Sequence, residues 1–154
     1  MAKDMSQASE DERIILELQA ELLKQIRGGS DCGPFMAAVY DRDGNCLSRA
    51  FNTVVGENCS HCHAEMNAIR LVEEKFATWN LAPRNLVLYG VPSDRVEAIA
   101  GFDEGFKPNW KAEFVRRGIE VVGPLAVEKG EEVFRECMRF QRTVYVPRAQ
   151  EGRR

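Results

Sequence analysis

The chain reads as an α/β protein in three layers, a mixed sheet covered by helices on both faces. Three observations predict it. Segments with helical and with strand periodicity alternate along the sequence, in the order helix, hairpin, helix, strand, helix, strand, helix. The run NLVLYGV, Asn85 to Val91, is continuously apolar, the pattern of a strand buried on both faces and therefore central. The two arms around Asp43-Gly44 are the only obviously antiparallel pair. With 154 residues and 44% hydrophobic content, one domain spanning 1–154 can bury its own core without staples, and 1–8 and 147–154 are expected as frayed tails.

Each element has a local cause. Ser9 caps a helix whose apolar residues Ile14, Ile15, Leu18, Leu22, Leu23 and Ile26 recur at helical spacing, and Gly28-Gly29 stops it. PFMAAVYDRDGNCLSRAFNTVV follows as two strands about the tight Asp43-Gly44 turn. Gly56-Glu57-Asn58 breaks the second strand. A helix from about Cys62 to Phe76 then carries Met66, Ile69, Leu71 and Val72 toward a core, with His63 and Glu65 in its first turn. After the NLVLYGV strand, Pro92 to Ala100 is a short helix capped by Ser93 or Asp94, and GFDEGFKP is a turn-rich loop. Asn109 to Arg117 is helical and Gly118 ends it. Gly118 to Val122 is a strand, and Glu128 to Gln141 is a last helix with Val133, Phe134, Cys137, Met138 and Phe140 as its apolar set.

Composition removes several function classes. A net charge of -3 and a pI near 5.5 give no general reason to bind a polyanion, so nucleic acid is not favoured as a partner. No apolar run approaches the length that crosses a bilayer, and MAKDMSQASEDER is polar and acidic rather than a signal peptide, so no membrane association and a cytoplasmic location are expected. Five cysteines in no framework spacing favour a reducing compartment. Of these, Cys32, Cys46 and Cys137 lie in apolar contexts and are read as buried packing residues.

Chemistry gathers in one stretch, Asn58 to Arg70, NCSHCHAEMNAIR. Both histidines of the chain, His61 and His63, lie there with Cys59 and Cys62, so this is where metal ligands can converge. The hairpin's second arm ends near Asn52 to Val55 and delivers the chain to the His63 helix. His63 and Glu65 are thereby placed at a strand-to-helix junction, beyond a strand's carboxyl end, where α/β sheets bind ligands.

The run GPFMAAVYDRDGNCLSRAFN followed by HAEMNAIRL resembles the zinc-dependent nucleoside and nucleobase deaminases, the cytidine deaminase-like superfamily, whose signature is H-x-E followed by P-C-x-x-C. RNLVLYGVPSDRVEAIAGFDEGFKPNW is similar to the corresponding strand and loop of the guanine deaminase branch. The resemblance implies a small-molecule nucleobase or nucleoside as partner, a homodimer, Zn2+ as cofactor, His63 as a zinc ligand and Glu65 as the general acid and base. It further implies Asn52 as a hydrogen-bonding partner of the base, Phe35 as a wall beside it, and Glu104 or Asp103 as a carboxylate approaching it.

The departure from the family carries as much information. P-C-x-x-C is absent; the nearest string, Pro92-Ser93-Asp94-Arg95-Val96, has serine and valine in place of the thiolates. Either the cysteines are replaced, or a whole strand-helix unit is missing between Leu81 and Arg84. The second alignment is favoured because VEAIAGFDEG matches the region after that unit. Two of three protein ligands would then be lost, and general-base help alone is worth about 10²–10⁴-fold, so an impaired deaminase is expected. Cys59 and Cys62, with His61 or His63, offer a replacement ligand set at a helix N-terminus, and Asp94 an oxygen ligand should the LVLYG strand occupy the vacated central slot. The alternative is a non-catalytic deaminase-like module that binds a base or a partner subunit.

Overall fold

A computed structural model of the protein describes residues 9–41, 43–78, 86–101 and 109–140. The first helix, α1 (Glu10–Arg27), begins where the Ser9 side chain accepts the Glu12 N–H at 3.1 Å. Glu10, Asp11 and Glu12 stand at its positive end, with Lys24 and Arg27 at its negative end. Gly29, at φ +89°, turns the chain out after the Gly28 cap, in a conformation that costs glycine nothing. The buried stripe is Ile15, Leu18, Leu22, Leu23 and Ile26, joined by Gln19.

The strands β1 (Met36–Tyr40) and β2 (Cys46–Phe51) form the antiparallel hairpin, with Met36 opposite Phe51 and an irregularity between Val39 and Tyr40. The turn is closed by the Asp41 carboxylate, whose Oδ1 accepts the N–H groups of Asp43 and Asn45 at 2.9 and 2.8 Å. Along β2 the side chains alternate between two helices. Arg49 reaches Glu21 and Glu17 of α1 and Phe51 packs on the Leu22, Leu23, Ile26 cluster, whereas the Ser48 hydroxyl donates to the Ala68 carbonyl of α2 (Ala64–Phe76) at 2.8 Å. The hairpin thus lies between α1 and α2, which makes the three layers. The last helix, α5 (Val127–Arg139), lies beside α1, and Val133 and Cys137 close the same cluster with Cys32 and Met36. Gly130 permits that approach, since a Cβ there would stand 2.8 Å from Gln19 Nε2.

The remaining strands, β3 (Leu86–Leu88) and β4 (Glu120–Val122), pair in parallel, with α3 (Ser93–Ala100) and α4 (Trp110–Arg116) between them in sequence. Here the expected single sheet is divided. The described residues form two two-stranded sheets, and β3 makes its ladder with β4 and none with β1. Nine residues, 77–85, separate α2 from β3. The LVLYG strand has not moved beside β1.

Three other expectations are corrected. Of the α2 residues assigned to a core, only Val72 is buried. Met66, Ile69 and Leu71 are 54%, 37% and 38% exposed, because β1 and β2 cover one face of the helix and no neighbouring helix covers the other among the described residues. Cys46 is exposed at the start of β2, where its sulfur accepts from Arg49 Nε at 3.4 Å; Cys32 and Cys137 are buried as expected. The α3 helix is preceded by Pro92 with no side-chain capping bond, and Ser93 and Asp94 are its first residues. The tails and the GFD loop lie outside the described residues.

Candidate functional site

The site forms where β2 hands the chain to α2. Two backbone bonds carry the strand geometry past its end, Gly33 N–H to Asn52 carbonyl at 2.9 Å and Asn52 N–H to Phe35 carbonyl at 3.0 Å. They fix the backbone of Asn52 in place. Its Oδ1 accepts the Val54 N–H at 3.2 Å, and its Nδ2 lies 3.5 Å from His63 Nδ1. An amide nitrogen only donates, and at this length the contact is a weak bond. Gly33 leaves room for the amide, since a Cβ there would meet Asn52 Oδ1 at 3.1 Å.

His63 is the N-cap of α2, at φ -66° and ψ 154°, and its side chain makes no capping bond, so the imidazole is available to its surroundings rather than spent on the helix amides. Glu65 stands in the first turn, where the helix dipole favours a carboxylate, and it is exposed. Phe35 is half-buried, with its ring edge-to-face with Phe134 at 5.4 Å and packed against the Val96–Phe134 cluster. Asn52 and His63 are therefore brought together, while Phe35 meets Asn52 through its backbone carbonyl and turns its ring to Phe134. Asp94 is exposed in the first turn of α3 and joins no group of metal donors among the described residues. Asp103 and Glu104 lie outside the described residues.

One residue that organises the site had no role in the sequence reading. Asn67 is buried, and its Nδ2 faces three acceptors: the Phe51 carbonyl at 3.0 Å, Thr53 Oγ1 at 3.0 Å and the Cys62 carbonyl at 3.2 Å. The Cys62 carbonyl also accepts the Thr53 N–H at 2.9 Å. The loop between β2 and α2 is thereby tied at both ends to one side chain. The available signal was a lone polar residue on the face otherwise made of Ala64, Ala68 and Val72.

Inside that loop three donors cluster. Ligand atoms of Cys59, His61 and Cys62 all lie within 4.8 Å of one another, and His63 is not in the group. The Cys59 sulfur beside it, with the Glu57 carboxylate adding to the effect, pushes the Cys62 thiol up to about 11. The zinc set implied by the family resemblance, one imidazole at position 63 with two thiolates, does not fit these residues. His63 has an amide nitrogen at its Nδ1 and no pair of sulfurs grouped with it among the described residues.

No family model matches the chain, and no curated protein matches it. Solved structures do. The structure of NE0047 in complex with 2,6-diaminopurine superposes with a TM-score of 0.71 at 29% identity, over 84% of each chain. A variant of NE0047 with one asparagine replaced by glutamine, in complex with 8-azaguanine, gives a TM-score of 0.68 at 30% identity, over 79% of this chain and 82% of that one. The guanine deaminase of Nitrosomonas europaea gives 0.68 at 28% identity, over 84% of each chain. This likeness, together with the Asn52 and His63-Ala64-Glu65 junction, means that the chain belongs to the nucleobase deaminase family that includes the Nitrosomonas europaea guanine deaminase.

Proposed function

We propose that the Asn52–His63 junction receives a purine or related nucleobase, and that the chain hydrolyses an exocyclic amine of that base only weakly. The observation that carries the reading is Asn52, held by two backbone bonds and, through its side chain, by Val54 at the end of β2, with the α2 N-terminus facing it. A carboxamide offers one acceptor and two donors, a match for the amide-like edge of an aminopurine. The neighbours bound to 2,6-diaminopurine and 8-azaguanine support that ligand class. Glu65 supplies a carboxylate at the helix start, and Phe35, implied as a wall beside the base, is tied to Asn52 through its backbone carbonyl. Should Asp103 and Glu104 approach the base as the resemblance implies, they would do so from the loop after α3.

Weak turnover follows from the donor set. Zinc bound as the family binds it would supply an acidified water for attack on the ring carbon, but the residues around His63 do not fit that ion. Glu65 acting on an ordinary water gives about 10²–10⁴-fold, well below the 10⁶-fold or more typical of enzymes. The same observation favours a second reading, a module that binds the base without transforming it. Calorimetry with 8-azaguanine and ammonia release from guanine, cytosine and adenosine separate the readings. Binding lost in Asn52→Ala together with slow ammonia release dependent on Glu65 supports the first. Binding without any release supports the second, and no binding of any base overturns both. A homodimer in a reducing, cytoplasmic setting completes the proposal, with the exposed apolar residues of α2 as its contact.

A further inference from the structure

We infer that Cys59, His61 and Cys62 form a binding site for a thiophilic divalent cation, zinc foremost, separate from the position held by His63. The inference stands apart from base binding. Its first support is distance. Cys59 Sγ lies 3.4 Å from His61 Nε2 and 3.6 Å from Nδ1, and all three donors fall within 4.8 Å. A tetrahedral ion with sulfur about 2.3 Å away and nitrogen about 2.0 Å away sets sulfur and nitrogen about 3.5 Å apart, and two sulfurs about 3.8 Å apart. The Cys59–His61 pair already stands near the first of these separations, and Cys62 offers its sulfur within 4.8 Å of both.

The second support is that backbone bonds shape the ligand loop. Cys62 N–H bonds to the Cys59 carbonyl at 3.1 Å, closing a four-residue turn that puts both sulfurs on one side. Cys59 N–H bonds to the Val54 carbonyl at 3.0 Å and Glu57 N–H to the Thr53 carbonyl at 2.8 Å, with Asn58 between them at φ +51°. Asn67 and Thr53 hold the Cys62 carbonyl from below. Little chain entropy remains to be lost on binding. The Glu57 carboxylate, 3.6 Å from Cys62 Sγ, or a water, can fill the fourth position. Two thiolates and a neutral imidazole cancel the charge of a divalent ion, and sulfur selects zinc over magnesium or calcium. Binding expels two thiol protons to solvent and changes no oxidation state.

The test is a titration of the whole chain, metal-free and kept reduced, with cobalt(II), read by the thiolate-to-cobalt charge-transfer absorbance. One equivalent should bind with that band, and one equivalent of zinc should displace it. Cys59→Ser and Cys62→Ser should each cut the affinity by at least about tenfold and halve the band; His61→Ala should weaken binding to a similar extent. His63→Ala should leave binding unchanged, with circular dichroism confirming that each variant is folded. No charge-transfer band in the unmodified chain overturns the inference, with no variant needed. So does a band lost in His63→Ala and kept in His61→Ala. The readout uses neither base nor turnover, so its failure and that of the deaminase reading are separate events.

Discussion

Asn67 shows how one side chain can hold a site it does not enter. Its amide nitrogen reaches acceptors on β2, on the following turn and on the loop before α2. Truncation strands buried acceptors without partners, so Asn67→Ala should cost about 1–3 kcal/mol in a denaturant titration. If the residue only fills space, Asn67→Leu will be as stable as the native chain. Under the proposed function the alanine variant should also weaken base binding, because the Asn52–His63 contact depends on the loop it ties down. The role of Asn67 could not be read in sequence. Its three acceptors belong to positions 5 to 16 residues away, and no local pattern marks a carbonyl as needing a donor.

At the scale of elements, the helices owe their ends to local chemistry and their stability to packing. Ser9→Ala removes one capping bond and should cost about 1 kcal/mol, whereas Ile26→Ala opens the fully buried cluster between α1 and α5 and should cost about 2–5 kcal/mol. Thermal melts of the two variants test that order, and equal losses would refute it. The contact between α3 and α5 joins the apolar Val96–Phe134 cluster to an ion pair. Glu131 is buried and its carboxylate takes Arg95 on one oxygen and Arg135 on the other, at 2.6 Å each. Arg95 first, then Arg135, holds this carboxyl below the usual carboxylate range, against the burial that would raise it. A depressed folded value means that the stabilisation is present above the unfolded value, near about 4.3, and is lost as pH falls through the lower folded one. Glu131→Gln should therefore lower Tm at neutral pH, with the gap to the native chain closing in acid. A gap independent of pH would mean that packing, not charge, is what the glutamate provides.

For the whole molecule, the division of the sheet decides most of what differs from expectation. With no strand joining β1 to β3 among the described residues, α2 packs by one face on the hairpin and leaves Met66, Ile69, Leu71 and Phe76 exposed. A monomer carrying that much apolar surface on one helix has reason to associate. Sedimentation should find a dimer at micromolar concentration, and Met66→Asp with Ile69→Asp should return it to a monomer with its melting unchanged. A native chain that sediments as a monomer removes the dimer from the proposal. No helix among the described residues is long and apolar enough to cross a membrane.

From sequence alone one could read the order of elements, the Ser9 and Gly28 ends of α1, the hairpin turn at Asp43-Gly44 and the placing of Asn52 and His63 on either side of one loop. Each is set by residues a few positions apart, through periodicity, capping and turn chemistry. Folding in three dimensions chose among options that short-range rules leave equal. Among the described residues it paired β3 with β4 and not with β1, left Met66, Ile69 and Leu71 of α2 exposed, buried Glu131 between two arginines and grouped His61, not His63, with the sulfurs of Cys59 and Cys62. Those outcomes depend on which distant surfaces meet and on the direction a side chain takes from a loop, and both are determined by packing across the molecule.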